Sequence, residues 1–210
     1  GTHLEYDLVS LDVGATPNLN AVPGAEQHAV PVKPVADFHR RWQALRNELA
    51  ARDTPAAITV VGGGAGGTEM ALAVAHALGD RARVSLVTAG PLLPGFPAGV
   101  RRRMARRLKA RGVALHSHTP VRQAQAQRLL SDDGELAHDF LLWCTGVQAA
   151  AWLSESGLPC DDQGFVRVSE TLQSPADARV FAAGDCAAFP GDLPKAGVYA
   201  VRQAKILARN

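Results

Sequence analysis

Residues 58–78 read ITVVGGGAGGTEMALAVAHAL. The apolar run Ala57–Val61 predicts a strand, the glycines a turn, and the alanine-rich segment from Ala65 to Leu78 a helix that stops at Gly79. Gly62, Gly64 and Gly67 fit G-x-G-x-x-G directly after a strand and directly before a helix, the context in which the pattern carries meaning. The first glycine permits a tight turn. The second removes a side chain where a diphosphate approaches the backbone, and the third lets the helix pack closely on the strand. Free N–H groups at the helix start, assisted by the helix dipole, then point at the phosphates. Gly62, Gly63, Gly64, Ala65, Gly66 and Gly67 are therefore the candidate dinucleotide-phosphate loop.

Outward from this loop the chain alternates strand and helix patterns. Arg83–Val87 predicts a second strand, Pro97 to Arg111 a basic helix ended by Gly112, and Val113–Leu115 a third strand. Residues 119–138 are more polar, with a turn at Asp132-Asp133-Gly134, and suit a small antiparallel meander. Phe140–Cys144 predicts a fourth strand ending at Thr145-Gly146. Toward the N-terminus, Phe38, Trp42, Leu45 and Leu49 repeat at helical spacing through residues 36–51. Residues 15–35 carry Pro17, Pro23, Pro31 and Pro34 without periodicity and predict an extended connector that crosses between domains. Tyr6–Val13, Gly164–Ser169 and Arg179–Ala183 are further strand-like runs, and a last helix is expected over 196–208. The fold class expected is α/β: a Rossmann-like parallel sheet with helices on both faces and a small antiparallel meander.

The 210 residues hold 22 Lys+Arg against 20 Asp+Glu, a net charge of +2, with 47% hydrophobic and 20% charged residues. That balance excludes intrinsic disorder, and near-neutral charge removes a general electrostatic case for nucleic acid. Cys144, Cys160 and Cys186 form no CxxC or ligand cluster, so a reducing, cytoplasmic setting with three small buried side chains is expected. No apolar run approaches the roughly 20 residues of a membrane helix. The chain begins Gly1-Thr2-His3, and a piece of a longer protein is expected. His116 and His118 alternate without a third ligand, so no metal is assigned. Arg101, Arg102, Arg103, Arg106, Arg107, Lys109 and Arg111 sit beside a Val100, Met104, Leu108 stripe. They read as the solvated face of a packed helix, with phosphate steering or an anionic membrane surface as the alternative. No Ser/His/Asp or Cys/His arrangement has support, so hydrolase and thiol-nucleophile readings are rejected and no catalytic side chain is assigned.

The second strand ends in Thr88-Ala89-Gly90, where an acidic residue would accept a ribose 2′-hydroxyl. With Thr88 there instead, NAD and NADP both stay open. Glu69 is read as lying in the first turn of the loop helix, either compensating the dipole or accepting a hydrogen bond near the nicotinamide.

Four elements taken together resemble the flavoproteins with two dinucleotide-binding domains, the pyridine nucleotide-disulfide oxidoreductase superfamily. Tyr6–Gly14 is similar to their hydrophobic-strand-then-glycine element, and Phe140–Gly146 to its counterpart in the nicotinamide domain. Thr171-Leu172-Gln173-Ser174-Pro175 followed by Val180–Asp185 is similar to their second FAD signature. Within the superfamily the chain resembles type II NADH dehydrogenases. More narrowly, through Val22–Glu26 and Pro194–Gln203, it resembles the related flavoprotein found alone or joined to selenide, water dikinase.

The resemblance implies FAD and NAD or NADP as cofactors and hydride transfer from nicotinamide to flavin, then to an acceptor the residues do not name. It implies that Asp185 binds the flavin ribityl or phosphate region, that Lys195 lies near the flavin, and that Glu69 and Gly146 lie near the nicotinamide nucleotide. The family's first glycine fingerprint precedes the Tyr6 strand and its interface domain follows the last helix. The expectation is therefore a fragment: residues 1–34 an FAD-domain strand and connector, 35–147 the NAD(P)-binding domain, 148–210 a partial FAD domain. Such a piece is expected to bind FAD poorly or not at all. Two alternatives stand beside this: a non-catalytic NAD(P)-binding module, and an accessory domain of a selenide, water dikinase fusion. The cytoplasmic localisation leaves room for peripheral contact at the inner membrane face.

Overall fold

The computed structural model describes residues 3–191 and 193–210. In chain order the first elements are β1 (Val9–Leu11), α1 (Ala25–His28), β2 (Val30–Pro31), α2 (Val35–Ala50), β3 (Ala56–Val61) and α3 (Ala65–Leu78). Then come β4 (Ala82–Val87), α4 (Ala98–Ala110), β5 (Ala114–His116), β6 (Val121–Ala124), β7 (Arg128–Ser131), β8 (Gly134–Ala137) and β9 (Phe140–Trp143). The last are α5 (Ala151–Glu155), β10 (Val166–Arg167), β11 (Val180–Ala182), β12 (Ala187–Ala188) and α6 (Gly197–Leu207). The chain divides into two compact units, residues 17–146 and residues 1–16 with 147–210.

The 17–146 unit is built on a five-stranded sheet of order β2-β9-β3-β4-β5, every neighbouring pair parallel. Parallel strands covered on both faces read as continuous apolar runs, and β3 and β9 do. Alternate residues face opposite ways: Ile58, Val60, Leu86 and Leu142 join one core, Val61, Val87, Leu141 and Trp143 the other. Leu45 and Leu49 of α2, Ala71, Val74 and Leu78 of α3, and Leu108 of α4 fill the first core. The second is closed by Ala25 and Ala29 around α1 and by Ala124 and Leu129 of the antiparallel meander β6-β7-β8. Helices thus lie on both faces as expected, but unequally, since the long ones share one face and the meander supplies most of the other cover.

The connector departs from expectation. It crosses nothing bare: residues 25–28 form α1, and Val30 and Pro31 pair with Leu142 and Trp143 as the edge strand β2. Proline is tolerated there because an edge strand has one side free of the ladder. A backbone bond from Ala124 N–H to the Pro23 carbonyl (2.9 Å) ties the connector to the meander. The compact units consequently divide at 16/17 and 146/147 rather than at 34/35 and 147/148.

The entry to β9 is fixed by a reciprocal pair. Asp139 N–H donates to the Ala57 carbonyl (2.8 Å), and Ala57 N–H donates to Asp139 Oδ2 (2.7 Å). Arg52 Nη1 lies 3.2 Å from the other carboxylate oxygen. The Ala57 N–H, and after it Arg52, hold the Asp139 carboxyl below its usual range. Beside it, His138 is buried with neither ring nitrogen in hydrogen-bond geometry. Burial pushes its imidazolium below the usual histidine range; the backbone of Arg128 and Gln125 and the Asp139 charge oppose this, and His28 adds to it. Both groups make stability fall on acidification, because the unfolded chain binds protons more readily in each case. His138 acts first, from about pH 6.5 downward, and Asp139 from about pH 4 downward. In urea denaturation across pH, Asp139→Asn is expected to lower stability at neutral pH by about 1 kcal/mol, a charge-assisted bond discounted for exposure, and to lose that deficit in acid.

The second unit, residues 1–16 with 147–210, contains two parallel pairs, β1 with β11 and β10 with β12. Its core gathers Leu153 of α5, Val166, Val168, Leu172, Ala182, Ala183, Cys186 and Ala187. Gln203 of α6 is buried and accepts the Gly184 N–H (2.7 Å), so α6 is pinned to the 3₁₀ turn Gly184–Cys186.

Candidate functional site

In the five-stranded sheet the order reverses at β3, which has β4 on one side and β9 on the other. Ligands of open α/β sheets bind at such a switch point, outside the carboxyl ends of the strands. A cavity of about 400 Å³ lies there, lined among others by Gly62, Gly63, Gly64, Thr88, Trp143 and Gly146.

The glycines divide their work by geometry. Gly62 sits at φ 138°, a conformation that L side chains rarely adopt, and a Cβ on it would lie 2.8 Å from the Cys144 carbonyl oxygen. A Cβ on Gly67 would overlap the Gly62 carbonyl oxygen, so α3 packs against the turn with no room for a methyl. A Cβ on Gly64 or Gly66 would meet nothing within 4 Å. Gly64 is the extended N-cap of α3 with no side-chain cap, so the orphan N–H groups of the first turn have no side chain competing for them. Thr68 closes the turn from behind, its hydroxyl donating to the Gly64 carbonyl (2.8 Å).

Thr88 is buried, with its hydroxyl donating to the Gly90 carbonyl and its Cβ where a side chain on Gly63 would have to go. Ala89 is the exposed side chain at the end of β4. Ala65, Gly66 and Glu69 are exposed on α3 and do not line the cavity. Glu69 is also not in the first turn: the helix starts at Ala65, which makes Glu69 its fifth residue and leaves Thr68 to end that turn. The dipole reading of Glu69 falls with this, because the effect is confined to the first turn. The connector contributes Asn18, Ala21 and Val22 to the lining, which the sequence reading missed. Asn18 is held where its carbonyl accepts the indole N–H of the fully buried Trp143 (3.0 Å). Pro17 and Pro23 flank this segment, and neither lines the cavity.

Asp185 and Lys195 lie in the other unit, where both line a cavity of about 150 Å³ with Asp161, Phe165 and Tyr199. Lys195 Nζ donates to the Ala187 carbonyl (2.6 Å) and stands 3.8 Å from the Phe165 ring centre. Burial pushes its ammonium below the usual lysine range, against the pull of Asp161 and Asp185.

Of the three thiols only Cys186 is fully buried; Cys144 and Cys160 are half-buried, because each lies at the rim of a packed layer rather than inside it. Burial pushes Cys144 up to about 12 and raises Cys160 and Cys186 as well. The thiolate is the reactive form, so alkylation of the folded protein at mildly alkaline pH, followed by mass spectrometry, is expected to leave Cys144 unlabelled until urea is added.

Residues 1–204 match the family described as pyridine nucleotide-disulphide oxidoreductase. The type II NADH:quinone oxidoreductase of Haemophilus influenzae is 33% identical over 172 residues, which cover 73% of this chain and 39% of that protein. Reduced CoADR-RHD of Bacillus anthracis superposes with a TM-score of 0.79 at 23% identity, over 97% of this chain and 37% of that one. The water-forming NADH oxidase of Lactobacillus brevis bound to NADH superposes with a TM-score of 0.75 at 21% identity, over all of this chain and 47% of that one. The chain spans less than half the length of the curated relatives it matches.

Proposed function

The chain belongs to the pyridine nucleotide-disulphide oxidoreductase family, and from that premise we propose that the switch-point cavity holds the diphosphate of NADH or NADPH in an FAD-dependent oxidoreductase of the NADH dehydrogenase type. The observation that carries this is the division among the glycines: Gly62 and Gly67 are closed by backbone, while Gly64 faces open space. An open N-cap above free N–H groups is a cradle for an anion. Gly62 and Gly67 hold the turn, Gly64 admits the diphosphate, and Trp143, through Asn18, fixes the connector wall of the cavity. The exposed side chain at the end of β4 is Ala89, so that position offers neither a carboxylate to repel a 2′-phosphate nor a cation to hold one.

For the flavin, Asp185 and Lys195 supply a carboxylate and a cation in a cavity that suits one polar segment of FAD and not the whole molecule. When bound, FAD supplies the hydride acceptor; the protein contributes position, dipoles and exclusion of water. The acceptor beyond the flavin is read as a quinone, by likeness to the Haemophilus influenzae relative's name.

Calorimetric titration with NADH and with NADPH tests the nucleotide half; saturable binding of either supports it, and binding of neither overturns it. Visible flavin absorbance and NADH-dependent dye reduction, with and without added FAD, test the redox half. In the full-length protein, nucleotide binding with no flavin-dependent turnover would favour the non-catalytic module.

A further inference from the structure

The chain is nearly neutral, yet its charge is sorted. No Asp or Glu occurs from Arg81 to Ser131, a stretch holding eleven of the 22 basic residues. Two of these, Arg122 and Arg128, are paired with Asp132 (2.6 Å) and Glu135 (3.0 Å) in the meander. Those of α4 and its C-terminal cap are different: among the described residues none pairs with a carboxylate. Arg102, Arg103, Arg106, Arg107 and Lys109 are all exposed. The helix has no freedom to turn them inward, because Leu108 is fully buried and Met104 packs against the same core. The result is a fixed cationic face about 15 Å long, from Arg101 to Arg111.

At the N-terminal end of this face two apolar side chains are left in water. Phe96 is 46% exposed and Val100 42%. Val100, Arg103 and Arg107 follow one another at i, i+3 and i+7, so the apolar end and the cations share one strip.

We propose that the outer face of α4 is a docking surface for an anionic lipid bilayer, with the arginines on headgroup phosphates and Phe96 and Val100 in the interfacial layer. Charge complementarity over such a span needs an extended anion rather than a small one. The adjoining apolar pair finds a matching environment at the boundary of headgroups and acyl chains, and none along a phosphodiester backbone. No described helix is long and apolar enough to cross a membrane, so the contact is made from the surface. Neither Phe96 nor any residue of α4 lines the nucleotide cavity, so the proposal does not depend on that cavity.

The test is sedimentation of the whole chain with vesicles of phosphatidylcholine alone and with vesicles in which roughly one lipid in three is phosphatidylglycerol. Binding is expected only to the anionic vesicles, weakening as salt is raised. Each surface cation contributes about fivefold in partitioning, so the triple variant Arg103→Gln, Arg106→Gln, Arg107→Gln, which strips the cations beside Val100, is expected to lose roughly a hundredfold. Arg41→Gln with Arg46→Gln, exposed cations of α2, is expected to leave binding unchanged. Phe96→Ser is expected to weaken binding while keeping its salt dependence. Circular dichroism melts show that each variant is folded, as expected for exposed positions. No binding to anionic vesicles, equal binding to neutral ones, an undiminished triple variant, or tighter binding to a homopolymeric RNA at the same salt would each overturn the proposal.

Discussion

Gly67→Ala is expected to be the most damaging methyl that can be added to a glycine within an α-helix of the molecule. Alanine is the better helix former by about 1 kcal/mol, so on propensity alone the change inside α3 would stabilise. Geometry decides otherwise. The new Cβ would coincide with the Gly62 carbonyl oxygen, a backbone atom that no rotamer change can move. Overpacking costs typically 1–3 kcal/mol where side chains can yield, and the cost here is at or above the upper end, about 3 kcal/mol. For a chain of this size that is a fall in Tm of roughly 6–12 °C. Gly66→Ala is the control: it adds the same methyl in the same helix with nothing within 4 Å, and is expected to be neutral or slightly stabilising. Thermal melts of the two variants beside the parent separate packing from propensity. Equal melting temperatures would mean that α3 shifts freely along the sheet.

Gly64→Val is expected to do the reverse, sparing the fold and removing the ligand. Gly64 has φ −76° and ψ −176°, open to any L residue, and its Cβ direction is empty. Stability should fall by no more than about 1 kcal/mol, because valine is the poorer N-cap but meets no clash. A branched side chain there, however, occupies the volume that a diphosphate needs and separates it from the first-turn N–H groups. Hydrogen bonds to a charged group contribute about 1.5–3 kcal/mol each, so loss of even one lowers nucleotide affinity by roughly ten- to a hundredfold. Calorimetry with NADH on a variant that melts like the parent reads this directly. Undiminished affinity would move the nucleotide away from α3 and end the proposed function.

The loop and the strands around it were legible because their signals are local. Glycines at fixed spacing, a run of apolar residues and an uninterrupted helix former sequence each depend on neighbours in the chain, and α3 falls on Ala65–Leu78 as read. The connector was not legible for the opposite reason. Val30 and Pro31 are a strand only because Leu142 and Trp143, more than a hundred residues away, stand beside them. Asn18 reaches the cavity only because the Trp143 indole holds its carbonyl. The Glu69 error was one of counting along a helix whose start was right, since from Ala65 the first turn ends at Thr68 and Glu69 is already past it. Net charge also concealed more than it told, because +2 is the sum of an acid-free, strongly basic stretch from Arg81 to Ser131 and an acidic remainder.

The strand that reaches the sheet last is not at its edge. β9, made only when the ribosome has passed Trp143, separates β2 from β3 and hydrogen-bonds to both. Until it emerges, β3, β4 and β5 can pair but β2 has no ladder to join, and the edge of β3 away from β4 is exposed to any strand that arrives first. Long-range parallel pairing of this kind is slow and prone to association with other chains. A polypeptide truncated before Phe140 should therefore be a client for holding chaperones, while one extended past Trp143 and free of the ribosome should not.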